Sequence, residues 1–250
     1  MANYYTDHPE IAFYLQDPLM RRITELREKG FSESAEYDYA PVDHEDCIDN
    51  YKRLLEIVGD VAANVIAPNS ESVDLEGPHL EDGRMKYASK TLENLEATRK
   101  AGLWGITMPR RYGGLNCPAV VFSMASEIVS AADASFQNIW SLQSCAETLY
   151  EFGSDDQRER FIPRICAGET MSMDLTEPDA GSDLQRVMLK ASYCEADIYE
   201  TWQLAALVEL SPLGKCWYLV SQKRLVSTSR VGESEAISYV LLRVRAEQSC

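Results

Sequence analysis

The chain has 250 residues, 45% of them apolar and 26% charged, enough to bury a core in one large domain or two small ones. Its formal net charge of −16 argues against nucleic acid or an anionic membrane surface as a partner, since both need clustered Lys and Arg. Seven scattered cysteines without a CxxC pair, and three histidines without ligand spacing, leave no metal motif and read as reduced thiols in a packed interior.

The first ten residues, MANYYTDHPE, lack the basic and apolar runs of a signal peptide. No apolar stretch is long enough to cross a bilayer; the nearest, Leu204 to Leu210, carries Glu209, so the expectation is a soluble, cytoplasmic protein. Residues 1–40 read as an N-terminal extension with a short helix over Pro18 to Lys29, placing Leu19, Ile23 and Leu26 on one side. It is expected to pack on the helical domain or on a neighbouring subunit.

From Asp49 the helical pattern is strong. Asp49 or Asn50 can cap, and Tyr51, Leu54, Leu55, Val58, Val61, Ala62 and Val65 recur at helical spacing until Pro68. Asn69 to Arg84 reads as a polar loop. Ser89 to Lys100 forms the next helix, with Leu92 and Leu95 inward and Gly102 as its stop. The stretch GLWGITMPRRYGG (Gly102 to Gly114) breaks every period, and Arg110 and Arg111 in it read as surface charges. Pro118 opens a helix with Val121, Met124, Ala125 and Ile128 on its apolar face. A further helix runs from about Ser135 to Phe152, ending at Gly153. The stretch Ser154-Asp155-Asp156-Gln157 is a capping box for another, with Phe161, Ile162 and Ile165 inward and a kink at Pro163.

After residue 168 the period changes from helix to strand. Met171, Met173 and Leu175 alternate with Ser172, Asp174 and Thr176; Pro178 stops the ladder, and Ala180, Gly181 and Ser182 let backbone amides approach a ligand. Further strands are expected over Val187 to Ser192, Cys216 to Val220 and Ser238 to Arg245, while residues 197–214 read as a poor strand or a short helix. The fold class is therefore α+β and multidomain. An N-terminal antiparallel helical bundle (41–168) precedes an incomplete antiparallel β-barrel-like domain (169–250).

LTEPDAGSD (Leu175 to Asp183) resembles the signature segment of the acyl-CoA dehydrogenase family, flavoenzymes that desaturate acyl-CoA thioesters between Cα and Cβ. MPRRYGG and EFGSDDQRERFIPRICAGE resemble the family's neighbouring segments, so the likeness spans residues 45–191. It implies FAD as cofactor, with Met173, Asp174, Leu175 and Thr176 along the flavin edge and Ser182 near the acyl-CoA and the cofactor phosphates. The family's second flavin-facing segment has its nearest match in Trp217 to Thr228. There Leu225 stands at the aromatic position, Ser227 at the Thr position, and Val220-Ser221 replaces the Asn-Gly turn. In the family the catalytic base is a Glu of a C-terminal helical domain, so no catalytic residue is expected within these 250, and Glu177 reads as a turn residue. The resemblance further implies an acyl-CoA substrate, an electron-transfer flavoprotein as electron acceptor, and a homo-oligomer. The alternative is a non-catalytic flavin- or acyl-CoA-binding or interaction protein that keeps the helical domain and half a flavin site.

Overall fold

Asp43 starts the longest helix. Its backbone is extended, its side chain accepts the Asp46 N–H at 2.9 Å, and it caps α3 (His44–Val61), the third helix in chain order. In this computed structural model the described residues are 2–81, 84–171, Ser182, Asp183, Arg186 and the strand segments 190–193, 202–205, 218–221 and 239–242. Asp49 and Asn50, the expected caps, lie more than a turn inside α3. Glu45 and Asp46 occupy its first turn, where the helix dipole favours acid, and this earlier start prevails.

Pro68 does not end the helix. At Ala62–Ile66 the backbone takes a π turn, with the Ala67 N–H bonded back five residues to the Ala62 carbonyl, and continues as α4 (Ala67–Glu76). The wide turn leaves room for the proline ring at the start of α4. The loop expected over 69–84 is thus helix as far as Glu76, followed by a hairpin of β1 (His79–Glu81) and β2 (Arg84–Lys86) in which Leu80 faces Met85.

Helix α5 (Ser89–Lys100) turns Thr91, Asn94, Leu95 and Thr98 inward. Leu92, expected inside, is 55% exposed, because Asn94 instead meets Asn69 of α4 at 2.7 Å and fixes the rotation. Helix α6 (Ala119–Ala132) buries Val121, Met124, Ala125 and Ile128 as its spacing requires. The single helix expected from Ser135 to Phe152 is broken into α7 (Ala134–Ser141), a 3₁₀ turn over Leu142–Ser144, and α8 (Cys145–Phe152). Asp133 caps α7, accepting from the Ser135 and Phe136 amides.

The chain divides into two units, residues 1–144 with 163–168, and residues 145–162 with 169–250. The first unit holds a continuous apolar core in which Leu55, Val58, Ile66, Ile106, Val121 and Trp140 have no measurable exposure. Each such side chain contributes about 1.5–3 kcal/mol by leaving water. The N-terminal segment belongs to this unit. Its helices α1 (Pro9–Tyr14) and α2 (Leu19–Arg27) send Tyr5, Ile11, Leu15 and Met20 into the same core. On α2 the inward residues are Met20 and Thr24, not Leu19 and Leu26, which are 68% and 61% exposed. Gly59 admits this packing: a Cβ there would lie 2.6 Å from the Tyr5 amide nitrogen.

Helix α9 (Asp155–Cys166), which belongs to the second unit as far as Ile162 and to the first from Pro163, opens on the expected capping box. Ser154 N–H donates to Gln157 Oε1 at 2.9 Å and Gln157 N–H to Ser154 Oγ at 3.3 Å. Phe161, Ile162 and Ile165 are buried, and the helix carries Pro163 in its interior. Beyond it stand two antiparallel ladders, β3 (Lys190–Tyr193) with β4 (Trp202–Ala205) and β5 (Tyr218–Ser221) with β6 (Tyr239–Leu242). Residues 202–205 thus take the strand of the two alternatives read for 197–214. The ladders remain two-stranded pairs, and among the described residues no barrel is closed.

Candidate functional site

The loop from Gly102 to Pro118 is built by its glycines and by polar clamps on both sides. Gly102 (φ +69°) ends α5 in the left-handed conformation that only glycine takes cheaply. The chain then folds back on itself, with Leu115 N–H bonded to Gly105 O, Cys117 N–H to Ile106 O and Asn116 N–H to Met108 O. Gly114 sits against the Met108 carbonyl so closely that any Cβ would overlap it, which explains the second glycine of MPRRYGG. From the core side, Trp140 Nε1 donates to Leu103 O at 3.0 Å, and Gln143 accepts from Ile106 N–H while donating to the Leu103 and Trp140 carbonyls.

Arg110 corrects the sequence reading. It is 4% exposed and not a surface charge. Its two terminal nitrogens donate to both oxygens of Glu28, at 2.6 and 2.9 Å, and one also reaches Glu33 at 3.0 Å. The guanidinium lies 5.8 Å from the centre of the Tyr39 ring. Burial disfavours the cation, but hydrogen bonds and charge from Glu28 and Glu33 outweigh that and raise the Arg110 pKa, so it stays charged. Burial is also the largest influence on Glu33, pushing it up; hydrogen bonds from Arg110 and Lys29 prevail and hold it below the ordinary carboxylate value. Two thiols lie buried in the same unit, Cys117 with its pKa pushed up to about 12 and Cys47 to about 11 by desolvation. They are packing groups and not nucleophiles. No spacing signal joins Glu28 to Arg110, since 82 residues separate them; the only hint is an arginine set among Trp104, Ile106, Met108 and Tyr112.

Past α9, Gly168 (φ +96°) turns the chain, and its carbonyl accepts from Arg99 Nη2 at 3.0 Å. Met171 is buried. Of the residues expected to meet a flavin, Ser182 is described and is exposed. Met173, Asp174, Leu175, Thr176, Leu225 and Ser227 lie outside the described residues, as do Glu177 and Pro178. The chemistry of that set fits a flavin in part. Backbone amides beside Thr176 and Ser182 hydroxyls suit the polar edge and the phosphates, whereas Leu225 offers no aromatic face. No group of His, Cys, Asp or Glu among the described residues is arranged to hold a metal, and no described helix is long and apolar enough to cross a membrane.

Residues 49–169, just under half of the chain, match the acyl-CoA dehydrogenase N-terminal domain, which supports a place in the acyl-CoA dehydrogenase family. Among its relatives, 3-methylmercaptopropionyl-CoA dehydrogenase of Ruegeria pomeroyi is 35% identical over 146 residues, 58% of this chain and 25% of that protein. Butyryl-CoA dehydrogenase of Megasphaera elsdenii shares the fold with a TM-score of 0.52 at 20% identity, over 77% of this chain and 48% of that one. A glutaryl-CoA dehydrogenase of Mycobacterium smegmatis, solved in complex with FADH2, does so with a TM-score of 0.50 at 22% identity, over 63% and 37%. The chain thus spans from a quarter to about half of the length of these proteins.

Proposed function

We propose that the protein serves FAD-dependent α,β-dehydrogenation of an acyl-CoA thioester. The observation that carries this reading is the juxtaposition, in one chain, of the family's N-terminal domain over 49–169 with LTEPDAGSD starting six residues later. Strand Met173 to Thr176 then lies along the flavin edge, offering backbone atoms and the Thr176 hydroxyl. Ser182 binds near the thioester arm and the cofactor phosphates, while Leu225 and Ser227 complete the far side. Bound flavin supplies the acceptor for the β-hydride. This chain's own residues hold the acyl-CoA and exclude water, and an antiparallel β-domain over 169–250 provides the platform. The α-proton goes to a carboxylate of a C-terminal helical domain, as in the family; no residue of the 250 is assigned that role. An electron-transfer flavoprotein takes the electrons, and the protein works as a homo-oligomer in the cytoplasm.

The test is flavin retention. Purified residues 1–250, mixed with excess FAD and freed of unbound cofactor, should keep flavin absorbance, and Thr176→Val with Ser182→Ala should weaken binding by about tenfold, the effect of losing one or two hydrogen bonds. A folded chain that retains no flavin overturns the reading in favour of a non-catalytic interaction protein. Acyl-CoA oxidation by these residues alone would overturn the assignment of the base.

A further inference from the structure

The N-terminal segment is fastened to the rest of its unit at two ends. At one end Asn3 Nδ2 donates to Glu56 O at 2.9 Å, and Tyr4 N–H donates to Gly59 O at 3.2 Å. At the other, Arg27 and Glu28 reach the loop over 105–117. Arg27 Nε donates to Asn116 O at 3.0 Å and its Nη2 donates to Thr107 O, while Asn116 Nδ2 donates back to Arg27 O and to Glu28 Oε1, both at 3.3 Å. Between the two ends the packing against α3 is incomplete. An open groove of about 680 Å³ runs along Leu15, Pro18 and Arg21 on one side and His44, Ile48 and Lys52 on the other.

The backbone beside the second fastening is strained. Lys29, Gly30 and Phe31 are three successive left-handed residues, at φ +50°, +68° and +61°, two of which carry side chains that disfavour that region. Asn116, on the facing loop, is left-handed at φ +54°. Such conformations persist only where surrounding contacts over-determine them. Here the over-determining contact is Arg110, which grips Glu28 before the left-handed turn and Glu33 after it. Its side chain is 3% exposed and that of Glu28 is 1%, so neither charge has water to fall back on if the other leaves.

We propose that residues 2–40 are a latched strap: Arg110, by holding Glu28 and Glu33 across a left-handed turn, keeps the strap and the 105–117 loop in one closed arrangement. Opening the latch relaxes the strained turn and frees the loop's outer face, while Trp140 and Gln143 still hold its inner face and Tyr5, Ile11, Leu15 and Met20 keep the first part of the strap in the core. The proposal rests on residues of the first unit alone and is tested apart from the dehydrogenase reading.

Hydrogen exchange followed by mass spectrometry on the full chain tests it, with Glu28→Gln and Glu33→Gln as the variants. Glu33 is part exposed and its loss leaves Arg110 paired with Glu28, so Glu33→Gln keeps the test valid should Glu28→Gln fail to fold. In each folded variant, amides of 105–117 should exchange about tenfold faster, as loss of charge-assisted hydrogen bonds implies, while those of α6 stay protected. Asn3→Ala, which frees the opposite end, should deprotect only the first residues. Unchanged exchange over 105–117 in the folded Glu28→Gln protein, or in Glu33→Gln should the former fail to fold, overturns the proposal.

Discussion

At Arg110, one side chain carries a large share of the stability of the first unit. Its partner Glu28 is equally buried, so removing either leaves a charge without water or counter-ion. Arg110→Ala or Glu28→Ala should cost about 3–5 kcal/mol in urea unfolding, whereas the double change Arg110→Met with Glu28→Leu should recover most of it. The second acid, Glu33, has a folded pKa below its ordinary value of 4.5. A depressed carboxylate adds stability that is present above the unfolded pKa and is lost as pH falls through the folded one. Thermal stability should therefore decline as pH drops below about 4.5, and the decline should shrink in Glu33→Gln. The reading of Arg110 as a surface charge failed because its surroundings come from a segment 82 positions away. By contrast Gly113 and Gly114 showed in the sequence as loop formers, and the structure gives both a reason: φ +85° for the first and the Met108 carbonyl against the second.

Two prolines show how an element's identity depends on its neighbours. Pro68 looks like a stop, yet the π turn at Ala62–Ile66 carries the helix through it; Pro163 stands inside α9 with no such turn before it. Pro68→Ala should thus change stability by no more than about 0.5 kcal/mol, since the π turn already accommodates the ring. Pro163→Ala regains an amide donor in a helix interior and should stabilise by about 1–3 kcal/mol. Denaturant midpoints of the two variants give the comparison directly. Helix faces were legible wherever apolar residues recur without competition, as with Val121, Met124, Ala125 and Ile128 of α6. They were misread where a polar residue holds the inward place: Thr24 on α2, and Asn94 on α5 beside Asn69. Periodicity counts hydrophobicity, and these positions are decided by hydrogen bonding.

For the molecule as a whole, the apolar core runs from Tyr5 to Trp140 and lies wholly in the first unit. That unit includes 163–168, so the fragment 1–171 contains all of it together with the α8–α9 connection. It should fold alone, with a cooperative thermal transition and helical circular dichroism; a fragment without a transition would show that the core needs the remaining residues. The change from helices to strands after residue 168 was legible in the sequence as a change of period; the division into units was not, since α8 and α9 as far as Ile162 go with the strand-bearing residues. The candidate flavin contacts were legible only as a motif. LTEPDAGSD names them, but strand pairing and side-chain placement depend on residues distant in sequence, and Ser182 alone among them is described.

The π turn bears on how this chain is to be compared with its kin. A turn closed over five residues holds one residue more than an α turn. Upstream of it α3 turns Tyr51, Leu55 and Val58 to the core; downstream, α4 turns Asn69 and Val73 toward burial on a face rotated by that extra residue. A correct correspondence with relatives that have an unbroken α-helix here therefore needs a one-residue gap between Ala62 and Ile66. Drawn without it, every position of α4, buried Asn69 included, would be paired with its neighbour's counterpart.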